Sequence, residues 1–241
     1  MPRRERPAET TRSEHWLRVA VDNATDGLNA RIAEAFGWSS RDVIRWVSPR
    51  EDDEFAEYYD QAFLDRLGLS DLRVPLHDFW PAGGPRWDGL ANTGSGKILL
   101  VEAKAYIEEM VDFRSGASGE SLAQIERSLQ LAKTACGATI NAPWSAPLYQ
   151  LANRLAHLHF LQVLNGVDAY LLLLSFADAP DVPAPCSVAQ WEGAHRLSKK
   201  CLGLGVDSFS GRIGHVVWRV PDMLANKPLN PSAGASGAAA G

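Results

Sequence analysis

The residues of this chain best suited to chemistry stand in WDGLANTGSGKILLVEAKAY, residues 87 to 106. KILLVEAKAY reads as a buried strand, yet it carries Glu102 and Lys104 inside an apolar run. Strand side chains alternate between faces, so Leu100, Glu102 and Lys104 share one face while Leu99, Val101, Ala103 and Ala105 line the other. Burying such a pair is unfavourable unless partners compensate it, so it is either a structural salt bridge or part of a site. RWDGLAN is a second strand, and TGSG between the two suits a hairpin that brings Asp88 beside Glu102. Two carboxylates on adjacent strands make a hard, oxygen-rich site of the type that suits Mg²⁺ or Mn²⁺. A lysine on the same side could orient or deprotonate a metal-bound water, or stabilise charge developing on a phosphate. Metal-assisted hydrolysis of a phosphodiester uses all three groups.

These residues need a frame, and the rest of the chain supplies its elements. Ser13 can cap a helix through HWLRVAVDNA, and GLNARIAEAFG follows as a second helix ended by Gly37. DVIRWVSP is short and β-like. In residues 51 to 68, Phe55, Tyr59, Ala62, Phe63 and Leu67 recur at helical spacing, which predicts a helix closed by Gly68. The segment after it is irregular, in part extended. SLAQIERSLQLAKTACG and APLYQLANRLAHLHFLQVLNG read as helices, VDAYLLLLSFAD as a buried strand, SVAQWEGAHRLSKKCLG as a helix capped by Ser187, and GRIGHVVWRVPD as a last strand. Strands interleaved with helices predict an α/β three-layer sandwich, a central mixed sheet flanked by helices. One domain over 13–226 is expected, with 1–12 and 227–241 as disordered tails.

Asp88, then thirteen residues, then Glu102-Ala103-Lys104 in an apolar strand, resembles the PD-(D/E)XK nuclease superfamily, and the element order from 51 to 177 is similar to its core. The resemblance implies a restriction-endonuclease-like fold, with Asp88 and Glu102 as metal ligands, Lys104 as the catalytic lysine, Mg²⁺ or Mn²⁺ as cofactor, and nucleic acid, DNA first, as partner. The chain departs from the pattern at Trp87, where the motif has proline; the nearest proline is Pro85. Some branches of the superfamily add a glutamine from a later helix, a role open to Gln124 or Gln150, with Gln150 preferred. Many members take a further ligand from the first core helix, which would make Glu57 a candidate; solvation is the alternative for it and for Glu54. Gln150, Asn153, Arg154 and His157 fall on one helix face, as a cleft lining, an interhelical hydrogen-bond set or a solvated stripe.

Composition narrows the partners. Lys plus Arg is 24 and Asp plus Glu 29, a formal net charge of −5, which argues against a protein that coats nucleic acid and leaves room for a local basic patch. Arg3, Arg4 and Arg6, or Arg196, Lys199 and Lys200, are candidates for one, with a solvated surface as the alternative. Cys136, Cys186 and Cys201 show no metal spacing, and an odd count without an apolar leader predicts reduced thiols in a cytoplasm. AYLLLLSFA is too short to span a bilayer. TGSGK lacks P-loop spacing, because Ala91 and Ile98 stand where glycine and a hydroxyl residue belong. The histidines show no zinc-site spacing. A non-catalytic protein of the same fold, keeping Glu102–Lys104 as a salt bridge and binding nucleic acid or protein, is the rival to a nuclease.

Overall fold

The computed structural model describes residues 2–4, 10–112, 115–139, 141–205 and 207–225. The expected domain end at 226, the tail 227–241 and Arg6 lie outside them. Five strands form the central sheet: β2 (Ile44–Ser48), β4 (Gly89–Thr93), β5 (Ile98–Lys104), β6 (Ala169–Ala177) and β7 (Ile213–Arg219). They lie in the order β2-β4-β5-β6-β7. The first three are antiparallel, and β5, β6 and β7 run parallel. The molecule is thus α/β, with a mixed sheet and helices on both faces.

The alternation in β5 sorts the two faces. Leu99, Val101, Ala103 and Ala105 pack with Trp16, Leu17, Leu28 and Ile32, contributed by α1 (Arg12–Asn23) and α2 (Thr25–Phe36). Ile98 and Leu100 pack on the other side with Ile125, Leu129, Leu155 and Leu158, from α5 (Gly119–Ala135) and α6 (Tyr149–His159). All nine residues of β6 are buried because helices cover both its faces. Leu171, Leu172 and Leu174 are each at most 1% exposed, and each such side chain contributes about 1.5–3 kcal/mol by leaving water. The crossover from β5 to β6 runs through α5 and α6; α7 (Val188–Cys201) links β6 to β7 and opens with the expected cap, Ser187 and Gln190 bonding reciprocally.

Several local expectations are corrected. Residues 51 to 68 do not form one helix. A 3₁₀ turn at Glu51–Asp53 gives way to a two-residue strand β3 (Glu57–Tyr58) and a short helix α3 (Gln61–Arg66). Glu54, Phe55 and Asp60 take φ of 52°, 52° and 49°, which no helix tolerates. Arg3–Arg4, within the expected loose end, form strand β1 against Glu57 and Tyr58. Ser13 lies inside α1, whose cap position is Thr11; Asp181 meets that helix end, accepting from the Arg12 backbone N–H at 2.5 Å and from Trp16 Nε1 at 2.7 Å. The irregular segment after Gly68 holds a one-turn helix α4 (Leu76–Phe79), and α8 (Val220–Ala225) begins where the last strand was expected to continue. No helix among the described residues is long and apolar enough to cross a membrane.

Candidate active site

The site forms at the C-terminal end of β5. Gly89 pairs with Val101, so Asp88, one residue before β4, comes level with the end of β5. Its Oδ2 accepts the Ala103 backbone N–H at 2.8 Å. Gly89 beside it is closely packed: a Cβ there would stand 3.1 Å from the Trp46 ring and 3.2 Å from Val101 Cβ, and those neighbours would have to yield. Tyr58 bridges Trp87, and Trp87 N–H donates to the Tyr58 carbonyl at 3.1 Å. That extension of the sheet sets β3, and with it Glu57, near Asp88.

Glu102 is held between two cations. Lys104 Nζ meets Oε1 at 2.5 Å, and Arg154 Nε meets Oε2 at 2.6 Å. Arg154 comes from α6, where it is 3% exposed, and it has two further anchors: Nη1 donates to Asn153 Oδ1 at 2.8 Å and Nη2 to the Arg86 carbonyl at 2.7 Å. Its guanidinium lies 4.9 Å from the centre of the Trp87 ring. Burial alone would push the Glu102 carboxyl up, but Arg154 and Lys104 outweigh it and hold the group below its ordinary value. Burial likewise pulls Lys104 down, and the fields of Glu102 and then Asp88 reverse this, so the lysine is held protonated.

A cleft of about 590 Å³ opens over these groups, lined among others by Asp88, Lys104, Arg154, Gln150, Glu57 and Tyr149. Glu102 is not among the residues of that cleft; it lines a second, smaller pocket of about 30 Å³, shared with Lys104, Gln150, Ser175 and His195. That space is the size of one water molecule. The cleft walls are acidic and mostly spoken for. Glu57 is buried and sits 3.6 Å from Arg4, Glu109 accepts the Ala105 N–H at 2.7 Å, and Asp112 accepts the Gln150 N–H at 3.0 Å. Burial raises the carboxyls of Glu109 and Asp112.

Asp88, Lys104, Gln150 and Glu57 therefore share one cleft, and Glu102 stands directly beneath it. Glu57 arrives on a strand, not on the helix expected for it, and Glu54 is outside, paired with Arg3 at 2.6 Å. Gln124 is not a member: its amide donates to the His77 carbonyl at 2.8 Å. The polar stripe of α6 divides. Gln150, Asn153 and Arg154 face the cleft, whereas His157 is enclosed by Phe63, Phe79, Trp80 and Trp87 and bonded to the Asn153 carbonyl at 2.9 Å. Burial drops His157 to about 3, so it is a neutral core histidine. TGSGK is a turn at the opposite end of β5. One group was not legible in the spacing: α7 and β7 bring the rings of His195 and His215 to 4.6 Å, and Ser175, beside Lys104 in the sheet, bonds His195 Nε2 at 2.9 Å.

The donor set suits a hard divalent cation in kind: Asp88 and Glu102 are carboxylates at one end of one sheet, beneath a polar cleft. Among the described residues, no three acidic, histidine or cysteine groups converge as metal ligands, and both Glu102 oxygens are engaged by cations. An ion bound by Glu102 must share its oxygens with those contacts or displace one of them. No family model matches the chain, and neither curated proteins nor solved structures yield a match.

Proposed function

We propose that this protein is a divalent-metal-dependent nuclease, restriction-endonuclease-like in fold, acting on DNA. The observation that carries the reading is the meeting of Asp88 and Glu102 with Lys104 at the end of β5, under a cleft roomy enough for a nucleotide. Asp88 and Glu102 would hold Mg²⁺ or Mn²⁺, which supplies an activated water and neutralises phosphate charge. Lys104, held protonated by the fields of Glu102 and Asp88, would stabilise negative charge building on the phosphate. Gln150, which lines both the cleft and the smaller pocket, would orient the attacking water.

One observation favours a second reading. Glu102 is fully neutralised without any metal, as a structural ion cluster would be, which suits a binding module of the same fold. Incubation with single- and double-stranded DNA and RNA, in Mg²⁺, Mn²⁺ or EDTA, separates the two. Cleavage that needs metal and is lost in Lys104→Ala supports the nuclease; tight binding with no product under any condition supports the binding module.

A further inference from the structure

Resting on the nuclease reading, we propose that Arg154 is the residue that couples metal binding to phosphate binding: it occupies Glu102 until both arrive. Four charges meet at the head of the cleft, Asp88 and Glu102 negative, Lys104 and Arg154 positive, and they sum to zero. A divalent cation entering this set leaves two uncompensated positive charges in a part-dehydrated site, where like charges repel strongly. The metal alone is therefore held weakly. A phosphodiester arriving with it brings one negative charge and halves that excess, so each ligand strengthens the other by the same factor.

Arg154 is placed for this role more plainly than Lys104. Its contact with Glu102 is one of three, and the other two, to the Asn153 side chain and the Arg86 carbonyl, retain the guanidinium when the carboxylate is surrendered to an ion. The Trp87 ring packs against it throughout. Arg154 itself lines the cleft. Arg86 and Trp87 directly precede Asp88, so the same side chain ties the strand bearing one acid to the strand bearing the other. The other wall carboxylates have partners of their own: Glu57 faces Arg4, and Glu109 and Asp112 accept backbone N–H groups. Arg154 is a positioning residue by this account, acting through Glu102.

The test is calorimetric titration of Mn²⁺ and Ca²⁺ into wild type, Arg154→Met, Arg154→Gln and Glu102→Gln, alone and with a short duplex, using Ca²⁺ to suppress turnover. Arg154→Met is expected to bind Mn²⁺ about tenfold more tightly than wild type without DNA, and to lose about tenfold of the gain that DNA confers. A merely structural arginine would weaken metal binding when removed. Arg154→Gln, which keeps a donor for the Arg86 carbonyl without the charge, should behave like Arg154→Met and serves if that variant melts below the assay temperature. Metal binding that needs Glu102 but is unchanged or weaker in both Arg154 variants overturns the coupling and leaves the nuclease reading standing. Absence of any Glu102-dependent metal binding, with or without DNA, overturns the nuclease reading and the coupling with it.

Discussion

The two ends of β5 each carry a lysine–carboxylate pair at the same distance, and they are different objects. Lys97 Nζ stands 2.5 Å from Asp42 Oδ1, and Lys104 Nζ stands 2.5 Å from Glu102 Oε1. Asp42 completes its bonding with neutral groups, the Ser95 hydroxyl at 2.6 Å and the Ser39 N–H at 2.9 Å, so one cation suffices. Lys97, then Ser95, hold its carboxyl far below the usual range. It is a clasp for the hairpin turn. Glu102 is met by cations alone among the described residues, two of them, with Asp88 close by. Proximity does not distinguish these pairs; the identity of the other partners does. A carboxylate satisfied by hydroxyls and amides is finished, whereas one held by two cations has a contact it can exchange.

Removing the acid should separate the ends most sharply. Glu102→Ala leaves Lys104 and Arg154 buried and uncompensated, and loss of one member of such a cluster costs about 3–5 kcal/mol. Urea unfolding of Glu102→Ala beside Asp42→Asn measures this; equal shifts in the two variants would erase the distinction. Next comes chemistry. Lys104→Met should slow metal-dependent cleavage by roughly 10²–10³-fold, the size of losing one preorganised charge, while Lys97→Met stays within about twofold of wild type. A large defect at Lys97 would mean that the turn end participates.

A neutral control lies one helical turn beyond Arg154. His157 titrates near 3 in the fold and near 6.5 in an unfolded chain, so the unfolded state alone takes up a proton between those values. Stability contributed by this residue is complete above about pH 6.5 and falls as pH drops toward 3, by up to about 1.4 kcal/mol per pH unit. His157→Leu should flatten the acid limb of stability by that amount. An unchanged limb would show that His157 is not held neutral. The smallest effect is expected from Lys97→Met on Mn²⁺ affinity, which should match wild type within error; a shift would place charge coupling along the whole strand.

Much of this frame was legible because one rule acted alone. The alternation in ILLVEAK placed Glu102 and Lys104 on one face, and the short TGSG turn forced Asp88 to the same end; both follow from local geometry. Residues 51 to 68 misled because Phe55, Tyr59, Ala62 and Phe63 are spaced like one helix face but carried by a chain that reverses at Phe55 and Asp60. Positive φ at those residues, and pairing with Arg3–Arg4, override the periodicity. The pattern of GRIGHVVWRVPD carries the last strand through Pro221, although proline in a first turn also opens helices. Arg154 was legible as part of a polar stripe, but not as the partner of Glu102, because its bond spans 52 residues and depends on how α6 docks.

That docking also sets an order in time. The β4–β5 hairpin closes over a four-residue turn, whereas β6 meets β5 only after the chain has laid down α5 and α6 between them. Near-neighbour pairing is fast and long-range parallel pairing is slow. Asp88, Glu102 and Lys104 are thus expected to come together early, and Arg154 to be delivered late. A contact made after the rate-limiting step leaves its mark on escape from the native state and not on arrival. Loss of the Arg154–Glu102 bond should accordingly shorten the lifetime of the folded molecule, steepening decay in the unfolding limb, while the refolding rate hardly changes.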